Sequence, residues 1–255
     1  MKDWRGRLAG RVALVTGGGS GLGAEISRTF ARQGANVVIG DLNLKSAQSV
    51  ADDIVREGGQ AVATEMDVSR EDSYAAAVAT AETHFSRLNV IVNNAGYTQR
   101  IEPMIDVDEK TFDRLMAVNI KSIYWSVKVG VPAMQRSQGG VFINIASTGA
   151  ARPRPNLGWY NATKGAVVTA TKSMALELAP SKIRVCAINP TTSDTPMIDD
   201  LLAGRDAQRE AMTASIPLGR LCTPLDVADA AAFLASDEAR FLTGTCLDVD
   251  GGRAI

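Results

Sequence analysis

Tyr160 and Lys164 stand four positions apart in the run WYNATKGA. The run reads as helix, so this spacing puts both side chains on one face, a turn apart. A phenol loses its proton only near about pH 10 and is a poor base at neutrality. An ammonium group held beside it favours the phenolate and lowers that pKa. The pair therefore suits proton transfer to or from an alcohol or a carbonyl. Tyr and Lys at this spacing also arise by chance as a surface helix pair, so the rest of the chain must decide.

A second chemical feature is the turn Thr16-Gly17-Gly18-Gly19-Ser20-Gly21-Leu22-Gly23, between an apolar strand and a helix. Glycines there permit a tight turn and close approach of a pyrophosphate, and the following helix start offers free N–H groups. The candidate contacts are Gly17, Ser20, Gly21, Leu22 and Gly23. The alternative is a purely structural turn. No Lys-Ser/Thr follows Gly23, which argues against a nucleotide-triphosphate loop. Asp41 ends the next strand, where a carboxylate can accept hydrogen bonds from both hydroxyls of an adenosine ribose. It would repel a 2′-phosphate, and Ser20 and Leu42 supply no cation, so the expected cofactor is NAD(H) rather than NADP(H). Asp41 could instead cap the helix that starts near Asn43.

Other chemistries lack their residues. The single histidine, His84, lies late in a helical run, and no G-x-S-x-G elbow exists for it to serve. His/Cys clusters of zinc type are missing, so no metal is expected. Cys186, Cys222 and Cys246 are far apart and odd in number, which fits reduced thiols of a cytoplasmic protein. A net charge of −1 points to no nucleic acid or anionic membrane. No signal-peptide core appears, and no apolar run nears the roughly 18 residues of a membrane span.

Short β-rich runs alternate with helical ones along all 255 residues. Strands are expected at 11–17, 36–41, 61–68, 89–96, 140–147, 183–190 and 245–251. Helices are expected at 21–34, 43–57, 70–86, 108–136, 157–179 and 224–236, with an irregular helical insertion at 195–215. Continuous apolar strands between helices imply a parallel sheet covered on both faces. The expectation is one domain over 1–255: a Rossmann fold with a seven-stranded, doubly wound parallel sheet, carrying 195–215 as a substrate lid.

Taken together, the chain resembles the short-chain dehydrogenase/reductase family over roughly residues 8–252. The resemblance rests on the TGGGSGLG turn, Asp67-Val68, Asn93-Asn94-Ala95-Gly96, Asn119, Ser147, the Tyr160/Lys164 pair, Asn189-Pro190 and Val249-Asp250-Gly251-Gly252. It implies that Ser147 bonds the substrate oxygen, that Tyr160 exchanges the proton, and that Lys164 binds the nicotinamide ribose and lowers the Tyr160 pKa. Asn119 would hold a water linking Lys164 to solvent. Asp67 would contact the adenine amine, Val68 would lie beside the ring, and Asn94 and Gly96 would line the adenosine-side ribose. Asn93 would tie strands together, and Thr195 would bind the nicotinamide carboxamide. Pro190 and Ser193 belong to the same loop. Thr191 replaces a usual glycine, and Ser193 stands where an apolar residue commonly packs.

Three loops should frame the substrate, a small alcohol or ketone: Tyr97-Thr98-Gln99-Arg100, Thr148 to Trp159, and 196–215. Arg152 and Arg154 could bind an anionic group there or could be solvated loop residues. The resemblance also implies a homotetramer, or a dimer, paired through 108–136, 157–179 and the C-terminal strand. Two other readings stay open: a 3-oxoacyl-carrier-protein reductase, and a catalytically idle NAD-binding protein.

Overall fold

Strand residues that alternate between two buried faces dictate the architecture. The computed structural model describes residues 6–193 and 206–255; Thr195 and the 195–205 part of the expected lid lie outside the described residues. The strands are β1 (Val12–Thr16), β2 (Asn36–Asp41), β3 (Gln60–Glu65), β4 (Val90–Asn93), β5 (Gly140–Ile145), β6 (Ile183–Pro190) and β7 (Cys246–Val249). They form one sheet in the order β3-β2-β1-β4-β5-β6-β7, and every neighbouring pair is parallel.

The helices are α1 (Gly21–Arg32), α2 (Leu44–Arg56), α3 (Glu71–Phe85), α4 (Glu109–Met116), α5 (Ser122–Arg136), α6 (Gly158–Leu178), α7 (Asp206–Ala214) and α8 (Pro224–Ala235). On β1, Ala13 and Val15 join the apolar cluster beneath α1, α2 and α8, whereas Val12 and Leu14 join the one beneath α3, α5 and α6. β5 divides likewise, with Val141, Ile143 and Ile145 on the first side and Phe142 on the second. This two-sided burial explains why the strands carry unbroken apolar runs. Among the described residues no helix is long and apolar enough to cross a membrane.

The expected long helix at 108–136 is broken. Between α4 and α5 the chain widens into a π turn, Ala117–Lys121, with Asn119 at its centre. His84 is exposed in the last turn of α3, its ring Nδ1 3.0 Å from the Thr80 carbonyl oxygen. The three cysteines are free thiols.

Strand order reverses between β1 and β4, and connections there leave in opposite directions. Such a switch point opens a crevice at the carboxyl ends of the strands. The glycine turn after β1 and the loops after β4, β5 and β6 all meet there.

Candidate active site

The chemistry is assembled where β5 ends and α6 begins. Ile145 closes β5, and its carbonyl accepts a hydrogen bond from Lys164 Nζ at 2.8 Å. Ser147, two residues on, is extended and caps the short turn Thr148–Ala150 by accepting from Gly149 N at 3.1 Å. The hydroxyl thereby anchors the turn and also pairs with the Tyr160 phenol. Tyr160 occupies the first turn of α6, where its backbone N–H donates to Gln99 Oε1 at 3.1 Å. One helical turn later Lys164 is buried at 5% exposure, its Nζ 5.7 Å from the centre of the Tyr160 ring. The sequence spacing has thus become a shared face, with Ser147 brought to it from the neighbouring strand.

Burial sets the electrostatics. It pushes the Tyr160 phenol above its ordinary value, while the Ser147 hydrogen bond and the nearby Arg154 charge pull the other way. Burial also lowers Lys164 to about 8. The Lys164 ammonium is turned to Ile145, and the cation acting on the phenol is Arg154.

A cleft of about 430 Å³ runs from this point to the glycine turn. Gly17, Ser20, Gly21, Leu22, Asp41, Leu42, Asp67, Val68, Asn94, Gly96, Pro190 and Ser193 line it, together with Ser147, Tyr160 and Lys164. Ser20 precedes α1 without a side-chain cap, so the first N–H groups of the helix are left for a ligand. Asn94 Nδ2 donates to the carbonyls of Thr16 at 2.9 Å and Gly17 at 3.1 Å, which fixes the turn. Gly17 adopts φ +63°, a conformation that favours glycine. The cradle thus fits a dinucleotide: a glycine turn held open over an uncapped helix start, with a carboxylate at the neighbouring strand end.

Gly23 is a departure. It does not line the cleft, and a Cβ there would lie 2.2 Å from Gly17 O and 2.5 Å from Asn94 Nδ2. Its absent side chain lets α1 close against the turn. We expect Gly23→Ala to cost about 1–3 kcal/mol of stability and to weaken NADH binding. Urea unfolding and a fluorescence titration check this; unchanged midpoint and affinity would remove Gly23 from the cradle.

Asp41 also does more than expected. Its Oδ2 accepts from Gly19 N and its Oδ1 from Asn43 N, each at 2.9 Å. The helix cap is Asn43 instead, which accepts from Ser46 N. Asp41 therefore braces the glycine turn and keeps further acceptor capacity towards the cleft. Asp67 Oδ1 accepts from the Ser69 backbone and hydroxyl. Asn119 is 3% exposed and outside the cleft lining. Its amide bonds both backbone groups of Tyr97 and the Thr163 hydroxyl, so its side chain stabilises the π turn. Asn93 links β4 to Asn144 of β5 and to Ser126 of α5.

Other residues complete the surroundings of the site. Gln99, 1% exposed, positions the start of α6. Arg114 and Val118 enter the cleft from α4 and the π turn. Trp159 packs edge-on against Phe112 at 5.2 Å and bonds Met104 O, so it braces α4. Arg152 donates to the carbonyls of Arg253 and Ile255 and lies outside the cleft lining; Arg154 lines the cleft. Arg114 and Val118 carry no signal in the sequence beyond their residue types, whereas Gln99, Arg152, Arg154 and Trp159 fall in the loops expected to frame the substrate.

A family model described as enoyl-(acyl carrier protein) reductase matches residues 17–254. The chain is 47% identical to 4-formylbenzenesulfonate dehydrogenase of Comamonas testosteroni, across 96% of this chain and 98% of that one. It is 39% identical to 2,5-dichloro-2,5-cyclohexadiene-1,4-diol dehydrogenase of Sphingobium indicum, across 98% of each. Among solved structures, a 3-ketoacyl-(acyl-carrier-protein) reductase of Brucella melitensis complexed with NADH superimposes with a TM-score of 0.90 at 45% identity, covering 97% of this chain and 100% of that one. The chain belongs to the short-chain dehydrogenase/reductase family and is an oxidoreductase.

Proposed function

We propose that this protein is an NAD-dependent dehydrogenase that interconverts a secondary alcohol and its ketone. The observation that carries the reading is the Tyr160 phenol, paired with Ser147 in a cleft that leads to the Asp41-braced glycine turn. NAD, when bound, takes or supplies the hydride. Ser147 and Tyr160 hold the substrate oxygen, where charge develops as the carbon changes oxidation state. Tyr160 moves the proton at that oxygen. Lys164 faces the same pocket with its Nζ held by Ile145, placed to meet the ribose hydroxyls. Asp67, Val68, Asn94 and Gly96 serve the adenosine end. The relatives' named substrates, a formylbenzenesulfonate and a cyclohexadienediol, support a ring-bearing substrate. The NADH complex of the 45% identical neighbour supports the choice of cofactor.

The name of that neighbour favours a second reading, reduction of an acyl-carrier thioester. Such a carrier needs basic faces to grip. Lys128 is paired with Glu71 at 3.2 Å, which leaves Arg100 and Lys182 as candidate docking cations. We further propose a cytoplasmic homotetramer, with a dimer as the second choice. Outward apolar groups support it on α5 (Tyr124, 55% exposed), on α6 (Leu176, 82%) and before β7 (Phe241, 99%).

Cofactor choice tests the carboxylate directly. In Asp41→Ser with Leu42→Arg, the NAD/NADP ratio of kcat/KM should fall by about 10²–10³-fold, in line with the several kcal/mol that juxtaposed like charges cost. Initial rates with both cofactors measure it. A ratio that stays put would mean that Asp41 braces the turn and does not read the ribose. Acetoacetyl thioester reduction, run alongside, decides the second reading.

A further inference from the structure

Arg154 acts on the Tyr160 phenol only through its charge, and it is held from two sides at the cleft. Prolines at 153 and 155 fix the backbone on either side. Asn161 Nδ2, from α6, donates to Arg154 O at 2.9 Å. Arg154 Nη2 donates to Thr192 Oγ1, beyond β6, at 2.7 Å. The guanidinium therefore spans the cleft's substrate end, between the loops that follow β5 and β6.

Among the described residues no carboxylate pairs with Arg154, and Thr192 is neutral. The neighbouring charge is Arg253; burial and that like charge together bring Arg154 down to about 10. Arg253 Nη1 is itself a buried donor without a hydrogen-bond partner. Arg114 adds a cation to the same cleft, stacked 4.3 Å over the Tyr97 ring. Among the described residues the carboxylates that line the cleft, Asp41 and Asp67, belong to its cofactor end. The same cleft also has apolar and aromatic lining in Tyr97, Val118 and Leu157. A half-buried guanidinium among like charges is unfavourable until an anion joins it. Among the described residues one N–H is taken by Thr192, which leaves the fork for a planar, two-point contact with an oxyanion.

We propose that Arg154 is the anion-recognising specificity residue of this cleft, and that the substrate is an alcohol or carbonyl compound with an apolar body and a carboxylate or sulfonate group. This deepens, and rests on, the dehydrogenase reading of the same cleft. Arg114 would attract the anion at the rim, and Arg154 would fix it, so that the reacting oxygen faces Ser147 and Tyr160.

The test is binding of dead-end ketones to the complex with saturating NAD, measured by calorimetry. The probes are 4-acetylbenzoate against its methyl ester, and 4-acetylbenzenesulfonate against the matching methyl sulfone. In the unaltered protein one anion or both should bind roughly tenfold or more tighter than the neutral partner, as a charge-assisted contact requires. The better anion identifies the acid group. In Arg154→Gln the ratio should collapse towards one. In Arg154→Lys it should lie between, since lysine keeps the charge and loses the fork. Equal affinities in the unaltered protein, no binding of either anion, or a ratio that survives Arg154→Gln would each overturn the proposal. Oxidation of neutral 1-phenylethanol by NAD separates the two levels. Turnover without anion preference defeats the anion site alone, and anion preference without turnover of any alcohol defeats the dehydrogenase reading alone.

Discussion

Replacing Tyr160 by phenylalanine should lower kcat by about 10²–10⁴-fold, the range that a positioned acid or base contributes, and leave NADH affinity within about threefold. The ring stays, so the packing at the start of α6 and the hydrogen bond from the residue 160 N–H to Gln99 are kept. The lost atom is the phenolic oxygen that meets Ser147. Without it the substrate oxygen has a hydrogen-bond partner in Ser147 but no group placed to exchange its proton. Single-turnover rates and an NADH fluorescence titration on the same preparation make the comparison. Turnover retained within a few-fold would remove the proton role from Tyr160. Joint loss of turnover and NADH binding would instead assign it to the architecture of the cleft.

Lys164→Met should lower kcat/KM by about 10²–10³-fold, the scale set by removing one preorganised donor, and it carries a second signature in stability. Lys164 titrates at about 8 in the folded protein because burial disfavours its charge, against 10.5 for an ordinary lysine. Below pH 8 both folded and unfolded chains hold the proton, and the burial cost is constant. Between 8 and 10.5 the unfolded chain binds the proton and the folded chain does not, so stability from this group rises with pH. Across that window the cofactor-free protein should gain on the order of 3 kcal/mol relative to Lys164→Met. Urea unfolding of both proteins at pH 7, 8, 9 and 10 reads the difference. A pH-independent gap between them would place the charged lysine in a solvated setting.

The sheet was legible because each strand is an apolar run with a glycine- or polar-ended stop, and because strand–helix alternation leaves few arrangements. The Tyr160/Lys164 face was legible because helical spacing alone creates it. What could not be read depends on contacts across long sequence separations. Helical periodicity continues through 117–121, so nothing local marks the π turn; it forms where the Asn119 amide reaches the backbone of Tyr97. The same contact makes the Asn119 side chain a bracket between the π turn and the loop after β4. Gln99 bonds a residue in another element, and a lone glutamine in a loop announces no such partner. Arg152 and Arg154 are alike in sequence, two positions apart on one loop. The C-terminal carbonyls take the first, while Asn161 and Thr192 direct the second into the cleft. Asp41 was assigned to the ribose or to a helix cap, and the structure shows it bracing the glycine turn, a bond made 22 positions back along the chain.

Direct hydride transfer from the carbinol carbon to NAD is tested most directly by isotope transfer. The purified protein would be incubated with NAD and secondary ring alcohols deuterated at the carbinol carbon, including the 4-(1-hydroxyethyl)benzoate and benzenesulfonate probes, and the NADH examined by mass spectrometry. NADH one mass unit heavier should form, with NAD in preference to NADP, and should be lost in Tyr160→Phe. Protein that binds NADH yet forms no labelled NADH from any of these alcohols would contradict direct hydride transfer.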